Sequence, residues 1–438
     1  MHSREVVEVT SKNYGDATMK HRGGLLRASW LRSVSAKAIA CTAAVAAALG
    51  GAALAHAQMT GKAFTILVIT DLSTVYSDTS GKGSVNAAKM AISDFGGSVN
   101  GVPIKLIVLD NKLDVGITVN KTRQLIETQG VNMITDVTGS AAAIEVAKLA
   151  KKYKVTTTFV SPGTTALTNE FCTKYAWHYA WDTYALANLA ATKVTKLGAK
   201  RWYFITADYA FGHSLLEQFS RAAKAAGGTV VGNDMVPFPN DDFSSFLLKA
   251  QAAHADAIGL LESGQDLRNA VKQAGEFGLM SGAVRLVPGQ MNLTDVAALG
   301  ISAWSGAILA DPWYWNYDDR TRDWTSRYRK LYGSAPGSLH AGNYSAVTQV
   351  LSTVKRIGSD DPDKIAAALE GTTFDDFFAR NATFRKADHI VVHDMYLEQV
   401  KKANEVKTPD DVFTVLATVS GKDAFMPASE STCKHDWQ

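Results

Sequence analysis

Excess charge is the first thing this sequence lacks. Its 438 residues carry 45 Lys and Arg against 42 Asp and Glu, a formal +3. A nucleic-acid binder usually shows a basic stripe, so nucleic acid is excluded as a partner. Motifs of cofactor, hydrolase and metal chemistry are missing too. The GKGS at 81–84 has no glycine at the spacing a phosphate loop requires. No G-x-S-x-G elbow is present, so an α/β-type serine hydrolase has no nucleophile. His389 and His393 stand four apart but on a strand-like stretch with no matching Cys or carboxylate, which argues against zinc. No catalytic residue, metal or cofactor is therefore expected.

Long apolar runs are also lacking, with one short exception. Arg27, Arg32 and Lys37 precede a small apolar run from Ala38 to Leu54, followed by Ala55-His56-Ala57. These are the three parts of a secretory leader cut before Gln58. The run is too short and too rich in Ala and Gly to span a bilayer comfortably. Met19 reads as the better start, because residues 1–18 carry acids and nothing leader-like. Cysteine is scarce as well. Cys41 falls in the leader, which leaves Cys172 and Cys433 as an even pair in an exported chain, and such a pair reads as a disulfide.

What remains is a regular alternation in a chain long enough for two or three domains. FTILVIT, VPIKLIVLD, VNMITDV and VTTTFVS are short apolar runs suited to strands buried on both faces. Helical spacing fills the segments between them, with Gly96, Gly97 and Gly130 as stops. The rhythm restarts near residue 182 and runs to Ala310. Residues 318–371 then read as helices alone, and HIVVHDMYLEQVKK and DVFTVLATV return to strands. The predicted fold is α/β, two doubly wound parallel-sheet lobes joined by a hinge of several crossings.

Two junctions stand out. TDVTGSAAAIE (135–145) and FVSPGTTAL (159–167) are apolar runs that end in small hydroxyl and glycine residues before a helix-like segment. Helix N-termini offer free N–H groups and a positive dipole end, so they bind anions without Lys or Arg. Ordinary helix capping by Ser and Thr is the bland alternative. Two junctions on successive strands favour an anion pocket. The aromatic-dense YAWHYAWDTYA and DPWYWNYDD read equally as core or as pocket wall.

The order of leader, two windings and returning tail resembles the type I periplasmic binding proteins. More closely it resembles their branched-chain amino acid group, the substrate-binding subunits of ABC importers. The likeness covers nearly all of 62–438. It rests on LSTVYSDTSGKGSVNAAKMAISDFGG, GSAAAIEVAKLAKKYKV, FVSPGTTALT, TADYAFGHSLLEQF and HAGNYSAVTQVLSTVKRIG as an ordered set. It implies a leader with its upstream extension at 1–57, lobe one at 58–180 and lobe two at 181–310. The chain would return to lobe one at 311–385 and to lobe two at 386–438. Ser140, Gly163, Thr164 and Thr165 fall where the family holds a ligand carboxylate. Phe211 and Tyr209 fall in the closing loop of lobe two, Tyr76 and Ser80 in the first loop.

One departure matters. Where amino-acid binders place an acid for the ligand's ammonium, this chain reads VPGQMN, with Gly289 and Gln290. A buried ammonium with no carboxylate costs several kcal/mol. The expected ligand is therefore a carboxylate without an ammonium group, an aromatic acid above others. Tyr76, Trp181, Tyr184, Tyr209, Phe211, Trp313 and Tyr314 would crowd the cleft mouth, and Gln290 would meet a ring substituent. Glu262 and Asp266 are acids that would restore the amino-acid reading if they reached the ligand. The resemblance implies a periplasmic monomer, not an enzyme, that delivers its ligand to a membrane permease. A sensor that reports to a regulator is the alternative use of such a fold.

Overall fold

The computed structural model describes residues 59–280 and 284–435, with the backbone of Val6–Val9. The expected leader lies outside the described residues. Val6–Val9, upstream of it, pairs antiparallel with the outer edge of the first sheet at 106–109.

Five strands of the first sheet run parallel, in the spatial order Val102–Asp110, Phe64–Thr70, Val131–Asp136, Thr156–Phe159, Ala176–His178. FTILVIT is buried at every position because helices cover both faces. Ile66 and Val68 join the core of helices Gly81–Asp94 and Ser338–Ile357, through Ala88 and Val347 among others. Leu67 and Ile69 point the other way, toward Val146 and Ala147 of helix Ser140–Tyr153. Gly130 ends helix Val115–Gln129 in the left-handed region, at φ 60°, which glycine adopts without a Cβ clash.

Lobe two repeats the plan, in the order Arg285–Pro288, Ala257–Leu261, Arg201–Ala207, Thr229–Val236, all parallel. Trp202 and Phe204 turn toward the core shared with lobe one. Tyr203 and Ile205 face Leu247 and Leu267, on helices Ser244–Ala252 and Gly264–Glu276. In both sheets the strand order reverses beside the first strand of the winding. Ligands of doubly wound folds sit beyond the carboxyl ends of strands at that reversal. The segments in question begin at residues 71, 137, 208 and 262, and all four contribute to the cleft described below.

The predicted helical stretch is present as Asp319–Tyr332, Ser338–Ile357 and Pro362–Leu369. Ile308–Asp311, Met395–Val400 and Phe413–Val419 form a three-stranded antiparallel sheet. Some elements were hidden in the sequence. Strand Ala176–His178 lies inside the aromatic stretch, and helix Leu293–Leu299 follows the VPGQMN loop. His389 stacks on Trp177 at 3.9 Å, and His393 Nε2 meets the Ala180 carbonyl at 2.8 Å, so both serve the core. Cys172 and Cys433 are joined, with their Cα atoms 5.7 Å apart. No helix among the described residues is long and apolar enough to cross a membrane.

Candidate ligand-binding cleft

The cleft is built first from loop 71–80 of lobe one. Asp71, fully buried, fixes its root by accepting from the backbone N–H groups of Ser73, Thr74 and Tyr76 and from the Thr74 hydroxyl. A carboxylate with that many donors tolerates burial. The loop ends at Ser80, whose hydroxyl lies 2.9 Å from that of Thr138, itself 3.3 Å from Thr70 Oγ1.

At the junction after Val131–Asp136, Asp136 and Val137 take positive φ, as does Gly139 at 97°. This turns the chain directly into helix Ser140–Tyr153. Gly139 has no side chain to cap that helix. Ser140 is 1% exposed, and its hydroxyl has no partner among the described residues. Helix N-termini favour negative charge, and a buried hydroxyl there is free to donate. Behind it Asp136 accepts from Ser161 Oγ and, at 3.0 Å, from Asn343 Nδ2. Burial raises its carboxyl above the usual range, against the pull of those donors.

The junction after Thr156–Phe159 differs. Gly163 lines the cleft, where a Cβ would come within 2.4 Å of the Trp181 ring and 2.9 Å of Phe211. Only glycine fits there. The next two residues, expected beside the ligand, are not among those that line the closed cleft. Thr164 Oγ1 accepts from Ala166 N–H to cap the short turn Thr165–Thr168. The Thr165 N–H meets Ser214 Oγ at 3.3 Å, and Thr183 Oγ1 lies 2.6 Å from the same oxygen. Trp313 is likewise absent from the cleft. It packs edge-on against Trp324 and donates to the Phe377 carbonyl, because its strand end points into the core. Tyr184 lies under Arg221, and Tyr314 bonds Asp411.

Lobe two supplies the opposite pole. Tyr209 stacks on Phe238 at 4.1 Å, and Tyr76 reaches across to the same ring at 5.9 Å. The Tyr76 and Tyr209 hydroxyls bond each other, and burial keeps both phenols protonated by raising their pKa. Ser263 donates to Gln290 Oε1. Gln265 N–H donates to the Val75 carbonyl at 3.2 Å. Arg268, held by Asp295 at 3.0 Å, extends to Asp78 of the lobe-one loop at 3.3 Å. The lobes are closed on each other.

The lining brings together Tyr76, Ser80, Ser140, Gly163, Tyr209, Phe211 and Gln290 of the expected residues, with no charged side chain among the whole set. Trp181 completes the wall edge-on to Phe211, and its buried indole N–H has no acceptor among the described residues. The space left is about 30 Å3, room for a water or two but not for a ring. A ligand therefore enters with the lobes parted.

The family model for periplasmic binding proteins matches residues 63–405. The chain belongs to that family. A periplasmic binding protein from Burkholderia mallei is 41% identical, covers 86% of this chain and 100% of its own, and superposes with a TM-score of 0.83. A branched chain amino acid ABC transporter periplasmic ligand-binding protein from Burkholderia xenovorans LB400 is 35% identical over 85% and 99%, at 0.76. A solute binding protein of an ABC transporter from Rhodopseudomonas palustris BisB5, solved with 3,4-dihydroxybenzoic acid, is 24% identical over 82% and 98%, at 0.75. At that identity it shows the fold alone.

Several lining residues of this periplasmic binding protein were not singled out as ligand contacts from sequence. Ser161 and Ser263 carry a readable signal, since each follows a strand at the cleft edge. Leu339 comes from a helix far along the chain, and no local pattern marks it.

Proposed function

We propose that this periplasmic binding protein captures a small aromatic carboxylate between its lobes and delivers it to the permease of an ABC importer. The observation that carries the reading is the pairing of two buried, unpartnered donors, Ser140 Oγ and Trp181 Nε1, with a lining that holds aromatic rings and no charged group. The carboxylate sits on the Ser140 helix start, and the ring lies among Trp181, Phe211, Tyr76 and Tyr209. Gln290 occupies the place of the ammonium-binding acid, so an amino acid would bury its ammonium without a counter-charge from the lining. No Asp, Glu, His, Lys or Arg is among the residues that line the cleft, and the proposal is of binding without catalysis. The protein acts as an exported monomer with lobe boundaries near residues 180, 310 and 385. The ligand bridges the lobes and stabilises the closed form.

One observation favours a second reading. Glu262, beside Ser263, is buried with both oxygens unpartnered, and a ligand ammonium that reached it would find its counter-charge. Calorimetry separates the two. Benzoate, 4-hydroxybenzoate or 3,4-dihydroxybenzoate should bind at micromolar strength or better, and leucine and valine far more weakly. Micromolar leucine with no aromatic acid bound would overturn the proposal.

A further inference from the structure

Glu262 has no part in the site as built so far. It directly follows strand Ala257–Leu261, is 1% exposed, and neither carboxyl oxygen has a donor among the described residues. Its own carbonyl accepts from Gln290 N–H at 3.3 Å. The titratable groups around it are Asp266 on helix Gly264–Glu276, Tyr209 before helix Ala210–Ala225, and Tyr76 from lobe one. Among the described residues the only charge that acts on it is Asp266, which is like in sign. Asp266 itself has the Asn240 N–H at 2.9 Å. Arg268, on the same helix, is already engaged by Asp295, Asp78 and Gln265.

Lobe one closes over this segment. A Cβ on Gly264 would lie 2.5 Å from the Val75 carbonyl and 2.8 Å from the Tyr76 ring, so the loop seats directly on the backbone beside Glu262. Parting of the lobes would lift loop 71–80 off this segment and open it to water.

We propose that closure over the ligand takes up one proton, bound on Glu262. The inference rests on the aromatic-acid reading. The carboxylate brings a negative charge into a lining with no basic residue, and an ionised Glu262 would add a second in the same dry interior. A second buried negative charge raises the cost of ionisation, and a buried carboxyl without donors neutralises instead. Burial and then Asp266 hold the Glu262 carboxyl well above its ordinary range in the closed form, and burial carries Asp266 to about 7. The sign follows from linkage. The closed form holds the proton more tightly than the open form. Ligand affinity is therefore full below the open-form pKa and falls as pH rises toward the closed-form value, by at most about tenfold per pH unit for one proton.

The test is calorimetry with 4-hydroxybenzoate at pH 7 in two buffers of different ionisation enthalpy, phosphate and imidazole, with Kd followed from pH 6 to 8. Wild type should show close to one proton taken up and a Kd that rises with pH. Glu262→Gln should bind with no uptake and a flat Kd. Equal heats in both buffers for wild type would overturn the proposal, as would undiminished uptake in Glu262→Gln, which would move the proton to Asp266 or Asp136. Should Glu262→Gln fail to fold, Asp266→Asn and Asp136→Asn replace it: uptake that survives in both supports Glu262, and uptake lost in either overturns it. Benzoate, 3,4-dihydroxybenzoate and leucine complete the panel. Heat without buffer dependence sinks proton uptake alone. No heat with any of the four, or leucine bound without uptake, sinks the aromatic-acid reading as well.

Discussion

The segments that follow Val131–Asp136 and Thr156–Phe159 start from nearly the same ingredients, a buried strand running into glycine and small hydroxyl residues, and they end in different roles. In the first, Gly139 turns straight into a helix of 14 residues, and Ser140 keeps its hydroxyl free. In the second, the helical turn is only four residues long, Thr164 caps it, and Ser214 from lobe two occupies Thr165. A four-residue 3-10 turn has little dipole to offer an anion. The first junction thus leaves a hydroxyl unengaged, while the second presents a bare backbone at Gly163 on which Trp181 and Phe211 pack. A hydroxyl at a helix start stays available only where neither its own cap nor a neighbouring element consumes it.

The largest test of this contrast concerns how the second junction is held. The tail reaches it through Cys433 on Cys172, Ser431 on the Thr168 carbonyl and Thr432 on Asn169. The bridge closes a loop with a sequence separation of 261, worth up to roughly 5 kcal/mol on the chain-entropy model. Replacing both cysteines by serine should lower the urea midpoint accordingly, and an unchanged midpoint would show that the other contacts suffice. Next comes Ser140→Ala, which removes a hydrogen bond to a charged group, about 1.5–3 kcal/mol. The Kd for the best aromatic acid should rise at least tenfold while the melting temperature stays put. The smallest effect belongs to Thr164→Ala. Loss of its cap should cost about 1 kcal/mol or less of stability and leave Kd within about twofold. If Thr164→Ala weakened binding as much as Ser140→Ala, the two junctions would be equivalent after all.

The contrast also shows which features could be read in advance. Runs such as FTILVIT announce strands covered on both faces, and their alternation with helical spacing announces the winding, because these signals are local. Ser140 was legible for the same reason, as the first residue of a long helix after a strand. Thr165 was not, since the group that claims it stands 49 residues away. Nor could sequence separate Trp181, which faces the cleft, from Trp177 and Trp313, which fill the core. Aromatic density marks a place where rings gather, and only the sheet edge decides which face they take. Glu262 was visible as an acid, but its isolation depends on loops of both lobes meeting over it.

Loop 71–80 carries a consequence for timing. Asp71 makes it a rigid extension of lobe one, and its tip is fastened to lobe two through Tyr209, Gln265 and Arg268. A molecule inside cannot leave until those ties part, so its departure is clocked by the opening of the lobes and only indirectly by its own contacts. Capture happens before the ties form and is set by diffusion into the parted cleft. Changes at the loop tip therefore act on residence time and leave the rate of capture nearly untouched.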